Sequence, residues 1–494
     1  MSHIHTARLI IETTSPLAIY SGARESGFDN QLARDANGLP YIPATSIAGV
    51  WRQLVKKQLS ATIEQQWFGF TGNTNANTND KTNTSLSNNG HSSKITISNG
   101  IVHNSQNKPV VGLQTNENLS SDKLLALLQQ AKPLHRERVK INDRGVATDG
   151  AKFDQLMLPS GVRFCIDLKI DDSQFSGFCQ DTWQQLLACF HLTEFALGAT
   201  TRNGLGQFKV VGSKVHSISL HNNPDASCEI TTFVTRKNIP TTNEITNNIS
   251  ETPYAILPLK GLDNWRCGQG TERLGSAQPE QKINMLTYSE KRILWVNNQA
   301  NINTKPTAIM CGSSIKGILA HRVAYHLRRH QQVWAEDMAD CNHEQWQIMP
   351  EGLAELFGYA DPENHDNSFA GKLIIEDSEV NNSEKNIIVR THNRIDRFTG
   401  GVMKGALFSE ELIYQPEFTL KIWLKGNTKL SPTLKKALDN TLQDLQQGML
   451  PMGAGSGRGT SLVMQNPEQE WIINHSLIQT LENTVTKQEP SHEH

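Results

Sequence analysis

The feature that most restricts the fold of this chain is that it repeats itself once, block by block and in the same order. LPYIPATSIAGVWR (39–52) matches KPTAIMCGSSIKGILAHR (305–322), with Ser46 and Ser314 268 residues apart. QQWFGF (65–70) matches AELFGY (354–359), and KITISNGIV (94–102) matches KLIIEDSEV (372–380). VKINDRGVATDGAKF (139–153) matches NRIDRFTGGVMKGALF (393–408). GVRFCIDLKI (161–170) matches EFTLKIWLK (417–425), and GATTRNGLGQFKVV (198–211) matches GAGSGRGTSLVM (453–464).

The periodicity within the blocks says what each copy folds into. Val162, Phe164, Ile166, Leu168 and Ile170 alternate with Arg163, Cys165, Asp167 and Lys169, and Phe418, Leu420, Ile422 and Leu424 alternate likewise. Period two is a strand with one buried face. A helix follows each, with Asp181 as predicted cap and Gly198 as stop in the first copy. In the second, Ser431 caps, Pro432 opens the first turn and Gly448 ends the pattern. Strand, helix, glycine loop and strand thus occur twice. The predicted fold is α+β: two tandem ferredoxin-like, RRM-like (split βαβ) modules with inserted hairpins.

The expected boundaries are a first module over 1–235 and a linker over 236–252. A second module over 253–480 and a flexible tail over 481–494 follow. The Asn/Thr/Ser tract at 71–92 is expected to be a disordered insertion.

Composition narrows the function classes. Lys plus Arg number 47 against 49 acids, so no broad basic field exists and any grip on nucleic acid must be local. Basic clusters stand at HRERVK (135–140), KGILAHRVAYHLRRH (316–330) and VRTHNRIDR (389–397). A charge cluster alone also describes a solvated face. Seven cysteines without a CxxC pair, and no zinc-finger spacing, point to reduced thiols and no structural zinc. No membrane segment or secretion signal is evident, and a cytoplasmic location is expected.

Three repeated blocks suit a ribose-phosphate strand. Thr45 and Ser46, with Ser313 and Ser314, sit where a loop enters a helix, and helix tips hold phosphates. Plain N-capping would place the same residues there. Arg52, Lys316 and Arg322 follow on those helices. The glycine loops, with Arg202, Gly204 and Gly206, then Gly455, Gly457, Arg458 and Gly459, allow close backbone approach, although many glycine loops are only turns. Arg138, Lys140 and Arg144, then Arg390, Arg394, Arg397, Gly400 and Gly401, suit a hairpin reaching over nucleic acid or a solvated one.

PYIPATSIAGVWR, IDRFTGGVMKGALF and GAGSGRG together resemble the RAMP superfamily, in particular the fused two-module backbone subunits of CRISPR type III effector complexes. The resemblance implies crRNA, target RNA and other type III subunits as partners. It implies that the serine helix starts and glycine loops face the guide. It implies that the hairpins act as thumbs wedging the guide–target duplex. It also implies endoribonuclease activity through an aspartate in SGARESGFDNQLARDANGLPYIP (21–43), where Asp29 fits best and Asp35 is the neighbouring alternative. A divalent ion, Mg or Mn, would assist cleavage. The second copy has no counterpart of GFDNQLARD before its serine block, so it is expected to bind RNA without cutting. The competing readings are a non-catalytic crRNA-binding backbone subunit and an unrelated duplicated ferredoxin-like protein binding a metabolite or protein.

Overall fold

A computed structural model describes residues 2–22, 30–71, 90–142, 145–221, 223–236, 238–245, 251–276, 282–303, 305–346, 348–361, 364–426 and 428–480. Asp29, Arg144, most of the 71–92 insertion and the 481–494 tail lie outside them. The chain forms two compact units. The first comprises residues 1–140, 148–251 and 290–306, and the second 141–147, 252–289 and 307–494.

In the first unit the order is β1 (His3–Thr13), α1 (Ala44–Gln58), α2 (Ala61–Phe68), β2 (Gly100–Val102), β3 (Leu134–Ile141), β4 (Ala147–Met157), β5 (Arg163–Asp171), α3 (Gln180–Ala188) and β6 (Phe208–Ser219). The main sheet runs β6–β1–β5–β2, with every neighbour antiparallel. Leu9 faces Ile166 on one side and Ser213 on the other. Setting aside the inserted hairpin β3–β4, this is fourth, first, third, second, the split βαβ order.

The second unit has β7 (Ala255–Gly261), α4 (Gly312–His330), β8 (Ser378–Val380), β9 (Ile387–His392), β10 (Phe408–Tyr414), β11 (Glu417–Leu424), α5 (Pro432–Gln446) and β12 (Val463–Gln465). Its sheet runs β12–β7–β11–β8, again antiparallel, with β9–β10 as the inserted hairpin. The same topology occurs twice.

The alternation in β5 and β11 explains the cores. Phe164, Ile166 and Leu168 pack with Trp51 of α1 and Trp183 of α3, all fully buried. Trp51 also donates its indole N–H to the Leu186 carbonyl at 2.8 Å, so its one polar atom is satisfied. In the second unit Leu420 and Ile422 pack with Ile315 and Leu319 of α4 and Leu434, Leu438 and Leu442 of α5. Each such side chain contributes roughly 1.5–3 kcal/mol of burial.

Several sequence expectations need revision. Asp181 does not cap α3: the cap position is Cys179, and α3 ends at Ala188, well short of Gly198. Ser431 does cap α5, accepting from the Leu434 amide at 3.2 Å. The polar face of β5 is not solvated. Asp167 is 9% exposed and takes Arg8 and Arg236, each at 2.7 Å. Arg236 and Asn243, within the stretch read as linker, therefore pack on the first unit, where Asn243 bridges to Ser213. The hairpin Ile293–Ile302, encoded inside the second copy, also belongs to the first unit. There Trp295 donates to the Gly161 carbonyl at 2.7 Å and lies 4.1 Å under the Arg163 guanidinium.

Candidate nucleic-acid interface

Each glycine loop is pinned to the chain segment that leaves the first strand, with the same bonds in both units. The Ala199 amide donates to the Ala18 carbonyl at 2.7 Å, and Ala454 to Arg266 at 2.7 Å. The Gly206 amide donates to Pro16 at 2.8 Å, and Ser461 to Asn264 at 2.8 Å. On the other side of the exit segment lies the hairpin base, through the Leu17–Leu158 bridge and the Trp265–Ile413 pair. Exit segment, glycine loop and hairpin base thus meet in both units.

The two loops share a backbone but not a surface. Each carries a 3₁₀ turn, Thr201–Asn203 and Ser456–Arg458, flanked by left-handed residues. That register pairs Arg202 with Gly457 and Asn203 with Arg458, so the two arginines are not equivalent. Gly204 and Gly206 are buried. A Cβ on Gly206 would stand 1.8 Å from the Leu197 carbonyl oxygen, so this glycine closes a turn rather than meeting a phosphodiester. Gly457 and Gly459 are exposed, with nothing within 4 Å of an added Cβ. Arg202 is half-buried: desolvation works against its charge and Glu194 partly offsets it. Arg458 is exposed and lies 3.7 Å from Glu410, which is 1% exposed and also takes Arg266 and His392.

The helix starts are capped from a distance. The first amide of α1, at Ala44, donates to the Asn99 side chain at 2.9 Å, and that of α4, at Gly312, to Asp377 at 2.7 Å. The amides of Ser46 and Ser314 are bonded to the Pro43 and Cys311 carbonyls. Neither serine is the N-cap residue, and both helix tips offer a phosphate fewer amides than the sequence suggests. At α4 the carboxylate of Asp377 also occupies the place where an anion would sit. Thr45 and Ser314 are exposed, Ser46 and Ser313 half-buried, and Lys316 is half-buried in the first turn of α4.

Two basic residues expected at RNA serve the scaffold. Arg52 pairs with buried Glu64 and donates to the Gly69 carbonyl at 2.9 Å, closing the α1–α2 corner. Arg322 joins His326 on Asp444 of α5, at 2.5 and 2.6 Å.

The hairpins present what the scaffold does not use. Beyond β9–β10, Arg394 and Arg397 are exposed beside Phe398, which is 99% exposed. Asp396 folds this tip by accepting the Phe398 and Thr399 amides at 2.9 and 2.8 Å. In β3, Lys140, Val139 and Ile141 are exposed and Arg138 is half-buried, and Phe153 of β4 is exposed as well.

Of the two acids weighed for cleavage, Asp35 accepts the Asn37 and Leu39 amides through one oxygen, at 2.8 and 2.9 Å, which makes it a turn former. For a divalent ion, His135, Glu137 and Asp154 on the β3–β4 hairpin offer ligand atoms within 4.8 Å of one another. Glu137, however, is paired with Lys152 at 2.9 Å, which holds its pKa below the usual range. Magnesium or manganese, which prefer oxygen ligands, would have to displace that lysine.

The family profile of the RAMP superfamily matches residues 10–209 and 293–463, most of the chain. The chain belongs to the RAMP superfamily. One solved structure to which this RAMP chain is similar is a chain of the Type III-B Cmr-beta bound to cognate target RNA, determined by cryo-EM. The identity is 14%, the TM-score is 0.27, and the alignment covers 43% of this chain and 60% of that one, less than two thirds of its length. No curated protein sequence matches significantly. Among the described residues no helix of this RAMP protein is long and apolar enough to cross a membrane.

Proposed function

We propose that this RAMP protein is a guide-RNA-binding backbone subunit of a type III CRISPR effector complex, and that its first module cleaves the guide-paired target RNA. The observation that carries this reading is the doubled meeting of glycine loop, strand exit and arginine-bearing hairpin in a chain of this family. At each such site an RNA strand would be held by backbone and arginine contacts that ignore sequence. Base pairing to the guide supplies the specificity. The exposed Phe398 tip suits a wedge that splays one nucleotide of the duplex.

The reaction is transfer of the scissile phosphate to the neighbouring ribose hydroxyl. The 2′-oxygen forms a bond to phosphorus as its proton passes to a base, and the bond to the 5′-oxygen breaks, that oxygen taking a proton from water to leave as a hydroxyl beside a 2′,3′-cyclic phosphate. In-line geometry at a splayed nucleotide supplies much of the acceleration. Asp29, in the loop that leaves the first strand, would orient the hydroxyl or hold Mg or Mn there. Asp35 is spent on its turn, which leaves Asp29 as the better candidate of the two.

The test is Asp29→Ala in the assembled complex. The expected result is full guide occupancy with loss of the target cut assigned to this module. Survival of every cut removes the assignment. Absence of any cut in the wild-type complex, with guide still bound, favours the non-catalytic backbone role. The chain is expected to co-purify with small RNAs of uniform length and to function in the cytoplasm.

A further inference from the structure

His3 and His5 lie two residues apart on β1 and point to the same face of the sheet. Ile4 pairs with Asp171 on β5, which sets Asp172 opposite His3. The His3 Nδ1 and His5 Nε2 atoms each lie 3.3 Å from the same oxygen, Asp172 Oδ2. All three ligand atoms fall within 4.8 Å of one another.

Two imidazoles on one carboxylate oxygen can be a pair of hydrogen bonds, but 3.3 Å is long for a bond to a charged acceptor, which settles near 2.7–2.9 Å. It is instead close to the ligand–ligand edge of a tetrahedron around an ion with bonds of about 2.05 Å, roughly 3.3 Å. The surroundings also suit a metal. The other nitrogen of His5, Nδ1, meets the Ser217 hydroxyl on β6 at 2.8 Å, the outer contact that fixes a ligating imidazole. The His5 ring is stacked on Phe178 at 3.9 Å, which closes one side. His5 and Asp172 side chains are 8% and 16% exposed, and His3 is 32% exposed, so the fourth position opens to water.

We infer that His3 Nδ1, His5 Nε2 and Asp172 Oδ2 form a binding site for a zinc-type divalent transition ion, with water as fourth ligand. The ion joins β1 to the end of β5, and Ser217 extends the link to β6. It thereby fastens the three adjacent strands β5, β1 and β6 of the first unit to one another. The donor set, two imidazoles with one carboxylate, matches zinc better than the oxygen-only shells of magnesium or calcium. This inference uses none of the residues proposed to bind RNA and stands whether or not the chain cuts RNA.

The experiment uses the full-length protein without a histidine tag, stripped of metal and titrated with Zn²⁺ against a chromophoric chelator, and separately with Co²⁺. The wild type is expected to take up one tight equivalent of zinc and to give the visible absorption of four-coordinate cobalt. His3→Ala and Asp172→Asn should weaken zinc at least 100-fold, Ser217→Ala about 10-fold, and His475→Ala, elsewhere on the surface, not at all. Circular dichroism verifies that each variant is folded. No tight zinc in the wild type, octahedral-type cobalt absorption, or unchanged affinity in folded His3→Ala and Asp172→Asn overturns the assignment.

Discussion

The Glu410 carboxylate, 1% exposed at the base of the second hairpin, stands 3.7 Å from the Arg458 guanidinium of the second glycine loop. The same carboxylate takes Arg266 at 3.4 Å and His392 at 2.6 Å. Glu410→Ala would leave Arg266, which is 6% exposed, without its counter-charge. Removing one partner from a buried pair costs about 3–5 kcal/mol. Urea denaturation should show a loss of that size, whereas Arg458→Ala, truncating the exposed partner, should cost under about 1 kcal/mol.

The glycines separate by surroundings. Gly206→Ala places a methyl 1.8 Å from the Leu197 oxygen at a φ of 73° and should prevent folding or cost several kcal/mol. Gly459→Ala meets nothing within 4 Å at a φ of 75°, so it should cost about 1–2 kcal/mol and leave the fold intact. If the second loop lies along the guide, the same substitution lowers RNA affinity. Melting curves and filter binding on both variants distinguish a closed turn from an open contact surface.

Phe398→Ala should leave stability within about 0.5 kcal/mol, because the ring is 99% exposed. If the tip wedges the duplex, guide occupancy in the assembled complex should stay constant while the target nucleotide splayed beside the second hairpin becomes less reactive to chemical probing. Arg394→Ala with Arg397→Ala should lower the slope of log affinity against log salt by about 0.7 per lost phosphate contact. An unchanged slope would remove these arginines from the RNA path.

His103 gives a pH signature. Burial, partly offset by a 2.9 Å contact from Nδ1 to Asn107, pushes its pKa down to about 4. The unfolded chain, with an ordinary value near 6.5, binds the proton first. Stability is therefore full above about pH 6.5 and falls as the pH drops toward 4, by roughly 1.4 kcal/mol at pH 5.5. His103→Gln should flatten that part of the curve in urea titrations between pH 7.5 and 4.5.

The duplication and the sheet order were readable because period-two patterns and glycine punctuation survive in both copies. What escaped the sequence was mostly pairing at a distance. Asn99 and Asp377 reach the helix starts from loops 55 and 65 residues downstream of Ala44 and Gly312. Arg52 and Arg322 read as cations for RNA, yet their neighbours in space, Glu64 and Asp444, claim them. The mismatch between Arg202 and Arg458 is a shift of one residue inside the 3₁₀ turns, and alignment by composition hides it. Cys165 and Asp167 looked solvated because alternation cannot tell that the helix Ala226–Val234 and Arg236 cover that side.

The hairpin Ile293–Ile302 has a consequence for where the chain can be divided. Its Ile293 is 3% exposed within the first core, and neighbouring Glu290 receives Arg136 at 2.8 Å. A piece of the later copy is thus a wall of the earlier one, and a first half cut off at the junction would lack that side.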